Sequence, residues 1–556
     1  MPQTGYDYVI VGAGSAGCVL ADRLSASCAH SVLLLEAGGE DRLPFMSMPL
    51  AFLKICTNPK VGWGYTGEPE AHADGRRIWA PRGRVLGGCS SINGMLYARG
   101  HALDFDDWAA RGLPGWSYRE VLPYFQRAED HWRGADSWHG AGGPMRVVEH
   151  APDDILYPRL AEAARSLGHP ATADYHGRLQ EGFCLPQLNI QHGRRGSTAT
   201  CYLKPARQRP NLTVATGAQA TRLLLERGRA TGVRYLQDGQ EHVAHAGREV
   251  IVAAGAFNSP QLLMLSGIGD DRQLRPLGIA TRHALTGVGA NLQDHPSVRV
   301  EYDLSGPYGF DRHLRFDRMA RTVVEWKLLR RGLATDMPVT GMLFLRTRDG
   351  LDRPDGQTLV TPTLGDAHLW FPGIRAGRGH MLSTANVLLR PDSRGSLKLR
   401  SGDPLDKPAI HFNLLAEESD RLFFRRYVRH VRELIGSAAM APVIGRENRP
   451  GIEASSDAEI DAFVRWAIGT AFHPVGTCAM GTGEDAVVDA QLRVHGLDGL
   501  RVVDASVMPR IVGGNTNAAT IMIAEKAADM ILERPPLPPA PAGVHPDIHD
   551  SRRVAA

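Results

Sequence analysis

Tyr6-Asp7-Tyr8-Val9-Ile10-Val11-Gly12-Ala13-Gly14-Ser15-Ala16-Gly17 is the stretch that decides the fold of this chain. Its first half is an apolar, β-branched run that predicts a buried strand, and its second half has the spacing G-x-G-x-x-G. Residues 18–24 continue at helical period, and the apolar run 32–35 ends in Glu36, 19 residues after the last glycine. The order predicts a strand–helix–strand unit whose first turn is glycine-rich.

Each part of this unit suits the binding of a dinucleotide. Gly12 permits the tight turn, Gly14 lets a pyrophosphate approach the backbone, and Gly17 lets helix and strand pack closely. The free N–H groups and positive dipole end of the helix favour the phosphates, and Glu36 can accept hydrogen bonds from an adenosine ribose. The pattern alone does not separate NAD from FAD, and the competing interpretation is a glycine-rich turn without a ligand.

The bulk properties indicate a soluble globular protein of two or more structural units. The chain has 556 residues, 43% hydrophobic and 22% charged, with a net charge of +3 that is too small and dispersed for a nucleic-acid partner. Its seven cysteines show no C-x-x-C spacing and favour a reducing cytoplasm. No signal peptide, membrane-spanning run or metal-ligand motif is evident, so we expect a cytoplasmic protein, at most peripheral to the inner membrane, with no metal site.

Further along, the chain leaves the first unit and returns to it. Strand-like and helical segments alternate from about 300 to 465, residues 500–503 predict a strand leading to Asp504, and residues 513–517 open a helix that runs to Ile531. A short helix is predicted with Ser259 as N-cap and Pro260 as its first residue. From Pro535 on, the frequent prolines predict a disordered tail.

Five motifs together resemble the glucose–methanol–choline (GMC) oxidoreductases, flavoenzymes that oxidise alcohols. They are residues 83–93, 255–269, 287–295 (Gly-Val-Gly-Ala-Asn-Leu-Gln-Asp-His), 473–477 (His-Pro-Val-Gly-Thr) and 515–517 (Asn-Thr-Asn). The choline and aliphatic alcohol dehydrogenases are the most similar branch. The resemblance implies that the dinucleotide is FAD. It also implies a fold of mixed α/β and α+β class, in which a discontinuous Rossmann-like FAD-binding domain contains an inserted substrate domain built on an antiparallel sheet with helices. The expected division is FAD-binding domain at 1–155, 206–298 and 466–533, substrate domain at 156–205 and 299–465, and tail at 534–556.

The same resemblance implies which residues contact the cofactor. They are Gly12, Gly14, Ser15, Ala16, Gly17, Glu36, Ala37, Arg84, Gly87, Ser91, Asn93, Gly94, Ala220, Ala253, Gly255, Asp504, Ala505, Asn515 and Thr516. Two positions depart from the family pattern. Relatives that tether FAD covalently have His where this chain has Ile92, so we expect non-covalent FAD. Relatives that bind choline have a Glu that we align with Thr340, which favours a neutral alcohol over choline.

Alcohol oxidation by a flavin requires a base, because the carbon-bound hydrogen leaves as hydride to flavin N5 only as the oxygen becomes alkoxide. The resemblance assigns this role to His473, and we expect Asn517 to hold the same hydroxyl oxygen. His295 is interpreted as structural. Phe472 is expected to form one wall of the substrate cavity, and Trp370 and Phe371 are weaker candidates for another.

The sequence therefore predicts FAD-dependent oxidation of a primary alcohol to an aldehyde, with electrons passed to a quinone or another carrier. Four alternatives stay open: an oxidase that uses O₂, a choline dehydrogenase, a lyase with an idle flavin, and a flavin-binding scaffold without activity. The basic helix at about 318–331 could contact anionic lipid, although a packing helix with a solvated face is the favoured interpretation. The sequence leaves the oligomeric state open.

Overall fold

The N-terminal unit forms the centre of a seven-stranded sheet. In the computed structural model, which describes residues 5–150 and 155–544, the strand Gly5–Val11 lies parallel to a neighbour on each side. Its last four residues, 8–11, are apolar and buried, as expected of a strand that is covered on both faces. The strands run in the order Leu212–Thr216, Val32–Glu36, Gly5–Val11, Gln240–Val252, Arg229–Gln237 and Gln219–Glu226, and Leu500–Val502 pairs in parallel with Gln240–Val252.

A second seven-stranded sheet is antiparallel throughout. Its long strands alternate between residues that face the protein core and residues that face a cavity described below. In order, the strands are Ile444–Arg449, Pro296–Leu304, Met381–Leu388, Gly356–Thr361, Gly341–Leu345 and Gly182–Cys184, with Gly469–Thr470 also paired to Pro296–Leu304. The Rossmann-like parallel sheet and the antiparallel substrate sheet expected from the sequence are both present.

Helices cover the two sheets and connect them. The α-helices are Ser15–Ser25, Phe52–Cys56, Ala102–Ala110, Tyr118–Ala128, Leu156–Ser166, Lys204–Ala206, Gly255–Leu265, Asp271–Leu274, Phe316–Leu329, Glu418–Ile435, Asp457–Ala467 and Asn517–Ile531. Small sheets pair Tyr65–Pro69 with Arg77–Ala80, Ile190–Gln191 with Arg194–Arg195, Ile268–Gly269 with His283–Ala284, and Ser396–Lys398 with Ala409–His411, and another joins Glu129–His131, Met145–Glu149 and Gln187–Leu188. Within the described ranges, no helix is long and apolar enough to cross a bilayer.

The helix predicted to begin at Pro260, with Ser259 as its N-cap, begins five residues earlier and spans Gly255–Leu265. Ser259 does not cap it, because its hydroxyl donates to Oδ2 of Asp504 at 2.5 Å. The same oxygen accepts the N–H of Gly255 at 2.8 Å. The helix start is therefore capped by a residue 245 positions away from Ser259, which a local sequence pattern does not show.

Pro260 consequently lies inside the helix instead of at its first position. Proline has no N–H, so the carbonyl of Ala256 one turn earlier loses its helical partner. The hydroxyl of Thr477 donates to this carbonyl at 2.6 Å and replaces the missing hydrogen bond. A side chain from the motif 473–477 thus supports the helix that follows the parallel strand.

The prediction of a disordered tail is wrong for residues 534–544. Ala540 and Val544 are buried, and Ala540 exchanges hydrogen bonds with Arg119 of the helix Tyr118–Ala128, at 2.8 Å through its N–H and at 2.9 Å through its carbonyl. Proline removes conformational freedom from the unfolded chain, so a proline-rich segment loses little entropy when it packs. Residues 545–556 of the predicted tail lie outside the described residues.

The predicted domain boundaries stay a prediction, and one of them meets a difficulty. A division at residue 465 assigns the strand Gly469–Thr470 to the FAD-binding part, whereas it pairs with Pro296–Leu304 in the antiparallel sheet. A strand of two residues is too short to show periodicity in the sequence.

Glu525 joins the last long helix to three other segments. Its side chain is fully buried, and its carboxylate accepts hydrogen bonds from Arg23 at 2.8 Å, Arg127 at 2.8 Å and Tyr202 at 2.9 Å. A buried carboxylate with this many charge-assisted partners is well compensated for lost hydration. The helix Asn517–Ile531 is thereby fixed against the helix of the first glycine turn.

Replacing Glu525 with Ala should lower the free energy of unfolding by about 3 kcal/mol, because two arginines lose the carboxylate that neutralises them. Urea denaturation followed by circular dichroism measures this. The control is Glu162→Ala, which breaks an exposed ion pair with Arg165 and should cost under about 1 kcal/mol. Equal midpoints for the two variants would contradict the expectation.

Candidate functional site

One cavity of about 1240 Å³ extends from the glycine turns to the antiparallel sheet. Its wall contains residues from both sheets and from the loops between them. The expected cofactor residues on this wall are Gly12, Gly14, Ser15, Ala16, Glu36, Ala37, Asn93, Gly94, Ala220, Ala253, Gly255, Asp504, Ala505, Asn515 and Thr516. Residues predicted from distant motifs are thus brought to one surface.

Four expected cofactor residues, Gly17, Arg84, Gly87 and Ser91, do not line the cavity. They have structural roles next to it. A Cβ at Gly17 would lie 1.8 Å from the carbonyl oxygen of Gly12, so this glycine allows the helix to pack on the turn. The hydroxyl of Ser91 donates to the carbonyl of Leu86 at 2.7 Å, and the guanidinium of Arg84 lies 4.9 Å from the ring centre of Trp63.

The glycine turns form a cradle that fits FAD. Gly12 has a φ of +99°, and a Cβ there would lie 2.6 Å from the carbonyl oxygen of Ala253. A Cβ at Gly88 would lie 2.8 Å from the Cα of Gly14, whose own Cβ position has nothing closer than 4.0 Å. No side chain therefore covers the backbone where a pyrophosphate would approach. The helix Ser15–Ser25 begins there with no side-chain cap.

Glu36 lies at the end of its strand, with its carboxylate turned towards the first glycine turn. Oε2 accepts the N–H of Ala13 at 2.9 Å and Oε1 accepts that of Gly38 at 2.8 Å. Burial raises the pKa of Glu36 to about 7, against these two hydrogen bonds that lower it. Each carboxylate oxygen keeps a lone pair for a ribose hydroxyl.

His473 is presented to the cavity by a bulge between two paired segments. Residues 296 and 470 are partners, and so are residues 293 and 475. Between these two pairings the first segment advances three residues, from 293 to 296, and the second advances five, from 470 to 475. The second segment therefore has two extra residues, which form the bulge. Phe472, with a φ of +66°, makes the turn. Asp294 holds both strands, because its Oδ1 accepts the N–H of His473 at 2.7 Å and of His295 at 2.8 Å.

Hydrogen bonds determine which nitrogen of His473 bears the proton. Nε2 of His295 lies 3.1 Å from the carbonyl oxygen of Leu389, which can only accept, so this nitrogen is the donor. Burial lowers the pKa of His295 to about 3, and its neutral ring leaves Nδ1 as an acceptor. Nδ1 of His473, 3.0 Å away, must then donate. The lone pair of His473 is therefore on Nε2, at the end of the ring opposite His295.

The carboxamide beside His473 belongs to Asn515, not to Asn517 as expected. Nδ2 of Asn515 lies 3.1 Å from Nε2 of His473. Asn517 instead accepts the hydroxyl of Ser15 at 2.7 Å through Oδ1. Asn515 precedes the helix Asn517–Ile531 and is free to turn towards His473, whereas Asn517 is its first helical residue and faces the glycine turn. The expected pairing of an imidazole with a carboxamide exists, but Asn515 supplies the carboxamide in place of Asn517.

Burial strongly favours the neutral form of His473. It lowers the pKa of the imidazole well below its usual range, and the nearby rings and charges of His295 and Arg82 lower it further. Burial also raises the pKa of Asp294 to about 7, with Arg82 and the two histidine N–H groups opposing this. The imidazole of His473 is thus uncharged at rest.

Of the three expected substrate contacts, only Phe472 lines the cavity, where its ring meets that of Trp79 edge to face at 5.3 Å. Trp370 and Phe371 do not reach it. Trp370 donates through Nε1 to the carbonyl of Asp311 at 2.8 Å, and Phe371 is 40% exposed to solvent. Their neighbours His368 and Arg375 line the cavity instead.

Thr340 is fully buried and is not on the cavity wall. It therefore does not occupy the place of a carboxylate that would contact a substrate ammonium group. The residue at this position therefore gives no argument against choline.

Three residues near the site were not assigned to it from the sequence. His295 and Asp294 lie in the motif 287–295, and the presence of two polar groups at the end of that motif was a signal that could have been used. Arg195 has no such signal. It is fully buried, and its Nη1 donates to the side-chain oxygen of Asn93 at 2.9 Å, which fixes that residue on the wall.

Comparison with known proteins identifies the family. Residues 6–297 and 391–524 match the N- and C-terminal family models of the GMC oxidoreductases. An oxygen-dependent choline dehydrogenase of Vibrio vulnificus is 44% identical over 97% of this chain and 96% of that protein. The pyridoxine 4-oxidase of Mesorbium loti superposes with a TM-score of 0.84 at 33% identity, over 95% of this chain and 99% of that one. A formate oxidase of Aspergillus oryzae RIB40 superposes with a TM-score of 0.89 at 28% identity, over 96% of this chain and 99% of that one.

The chain belongs to the GMC oxidoreductase family. It is an FAD-dependent oxidoreductase acting on alcohols. The prediction of the family and of this general activity from the sequence is confirmed.

Replacing His295 with Leu removes the acceptor for Nδ1 of His473 and allows either tautomer. We expect anaerobic flavin reduction by an alcohol to slow by roughly 10- to 100-fold, with FAD content unchanged. His295→Gln should recover much of the rate, since its amide can both accept from His473 and donate to Leu389. Equal rates for the Leu and Gln variants would contradict the tautomer argument.

Proposed function

We propose that this protein oxidises a primary alcohol to an aldehyde, with His473 as the general base and Asn515 as the group that positions the hydroxyl. The observation that supports this is the 3.1 Å contact between Asn515 Nδ2 and the unprotonated Nε2 of His473, on the wall of the cavity that contains the glycine cradle. A hydroxyl inserted between these atoms donates to the imidazole and accepts from the amide.

Residues of this chain accept the hydroxyl proton and stabilise the charge that results. When bound, FAD supplies the hydride acceptor. Nε2 of His473 takes the hydroxyl proton, and the resulting positive ring is oriented by the Nδ1–H bond to His295. Asp294 lies against the backbone of the same residue, so that its carboxyl group can offset this charge. Asn515 fixes the oxygen without adding charge of its own.

The helix Asn517–Ile531 begins at the cavity with no side-chain cap on its N-terminus. A helix N-terminus stabilises negative charge. We propose that it faces the flavin's pyrimidine edge and favours the reduced cofactor. Binding is proposed to be non-covalent, since the position before Asn93 is Ile92, whose side chain packs among Met46, Ile55 and Val85 and offers no nucleophile.

The electron acceptor is proposed to be a quinone or other carrier, with O₂ as the alternative. A peripheral membrane contact would suit a quinone. It is supported by the helix Phe316–Leu329, whose Phe316, Val324 and Leu328 are exposed by 59%, 55% and 73% among basic neighbours. Basic residues flanking exposed apolar ones favour an anionic lipid surface. A cytoplasmic location is proposed with it.

Choline is the second candidate substrate, favoured by the relatives named choline dehydrogenases at 42–44% identity. A quaternary ammonium needs an unpaired carboxylate or an aromatic surface. Of the acidic residues on the cavity wall, Glu36 and Asp504 lie beside the glycine cradle, while Glu301 pairs with Arg449 at 3.5 Å and Asp366 with Arg378. The rings of Trp79 and Phe472 offer aromatic surface on the wall, but no carboxylate there is both unpaired and away from the cradle, and choline therefore ranks second.

His473→Ala should lower kcat/KM for an alcohol by about 10²- to 10⁴-fold with FAD still bound, because the base is lost. Asn515→Ala should cost roughly 10²-fold. Asn517→Ala should cost less rate than Asn515→Ala and should act on FAD content, through Ser15. Asn448→Ala is the control, because that amide bonds Asp303 away from the cavity. A larger rate loss for Asn517→Ala than for Asn515→Ala would restore the assignment made from the sequence.

The pH dependence of flavin reduction should lack a step at the ordinary histidine pKa of 6.5. A base acts in its neutral form, and burial lowers the pKa of His473, so that form persists into mildly acidic solution. The rate constant measured by anaerobic stopped flow should therefore show no histidine step at pH 6.5. Asp294 is the group beside His473 that titrates in this range, because burial raises its pKa to about 7, and Asp294→Asn should remove any step that this carboxyl causes. An inflection near pH 6.5 that persists in Asp294→Asn would contradict this.

A further inference from the structure

The antiparallel sheet forms the floor of the substrate end of the cavity, and strand register orders its side chains in rows. Residue pairings across the strands Pro296–Leu304, Met381–Leu388 and Gly356–Thr361 define three rows. Successive rows lie about 7 Å apart, two residues along a strand. From the catalytic side outward they are Ser297, Val387 and Gln357, then Arg299, Ala385 and Leu359, then Glu301, Ser383 and Thr361.

The first row lies nearest His473, because Ser297 pairs with Gly469 only four residues before it. The second row has two small or apolar side chains and one arginine. An alcohol whose hydroxyl meets His473 would therefore lay its carbon skeleton over Ala385 and Leu359. Its far end would reach the guanidinium of Arg299.

Arg299 is open to the cavity and weakly partnered. Among the described residues no carboxylate lies within 4.0 Å of its guanidinium, and its one hydrogen bond is from Nη1 to the hydroxyl of Ser383 at 3.5 Å. Surrounding protein lowers the pKa of Arg299 by burial, and Glu301 raises it. Arginine stays charged under such a shift. A cation with so few partners has five donors for an incoming anion.

The neighbouring charges do not neutralise it. Glu301 lies in the next row on the same strand, but Nε of Arg449 is 3.5 Å from its Oε2. Arg449 also faces Glu301 across the strand pairing. These three side chains leave one positive charge unbalanced on the cavity floor.

From this arrangement we infer that the substrate is an alcohol with a carboxylate or another anionic group about one row, ~7 Å, from its hydroxyl, and that Arg299 binds that group. The inference rests on the proposed function and names its substrate class. It replaces the neutral alcohol expected from the sequence. A guanidinium repels a quaternary ammonium, so Arg299 also disfavours choline.

The test compares two probes of nearly equal shape, para-(hydroxymethyl)benzoate and para-(hydroxymethyl)benzamide, together with choline as a cationic alcohol. Anaerobic stopped-flow flavin reduction by the holoenzyme gives kcat/KM for each. We expect the benzoate to exceed the benzamide by at least about 10-fold and choline by more, because a paired guanidinium–carboxylate contact is strong in a shielded site.

Two substitutions of opposite sign separate charge from shape. Arg299→Gln should lower the benzoate-to-benzamide ratio about 10- to 100-fold, and Glu301→Gln should raise it. Arg493→Gln, which removes an exposed arginine paired with Asp489, should leave the ratio unchanged. Should Arg299→Gln fail to fold, para-toluate and para-toluamide can be compared as inhibitors of the unaltered enzyme. The carboxylate should bind more tightly.

The outcomes distinguish this inference from the proposed function. Faster reduction by the benzamide or choline than by the benzoate would overturn the anionic substrate and leave alcohol oxidation standing. An unchanged ratio in Arg299→Gln, or equal inhibition by the two toluic derivatives, would also overturn it. No flavin reduction by any alcohol would refute both.

Discussion

The pairing of residues 293–297 with residues 469–475 is the constraint on which the site depends. Backbone hydrogen bonds join Gln293 and Val475 in both directions, at 3.0 and 2.9 Å, and Ala471 donates to His295 at 2.8 Å. Residues 469 and 470 of this pairing belong to the antiparallel sheet, and the imidazole of His473 follows directly after them on the cavity wall. The bulge within it supplies the exposed ring, and the facing strand supplies the partner that orients that ring. Cofactor cradle and substrate floor are thereby placed on opposite sides of one side chain.

Much of the fold could be predicted from residues 6–36 and from the glycine-rich motifs, because a tight turn with φ near +99° admits little but glycine. The wall of the cofactor cradle followed from the same motifs. Contacts that depend on distant segments could not be predicted. Asp504 caps a helix that lies some 245 positions earlier, and Thr477 replaces the hydrogen bond that Pro260 lacks. The prolines of residues 535–539 read as disorder, although they lead into a segment buried against Arg119.

The exchange of Asn515 and Asn517 shows where motif reasoning ends. Both residues lie in one short motif, both reach the cavity, and both have the same side chain. Which of them meets His473 depends on the residue at which the helix begins, and helix boundaries are the least certain part of any prediction from sequence. The charge on the cavity floor was hidden for a related reason. Arg299 stands in an alternating strand, and only strand register shows that it faces the cavity together with Glu301 and not the solvent.

The helix Asn517–Ile531 links two properties that are usually treated separately. The helix begins two residues after Asn515, which contacts the imidazole of His473. Glu525 lies about 12 Å further along the helix axis and pairs with arginines from two other helices. A helix that is fixed at its middle transmits small displacements to its N-terminus. Substitutions in this helix that raise thermal stability would therefore alter the turnover rate as well. Variants selected for one of these two properties should be measured for the other.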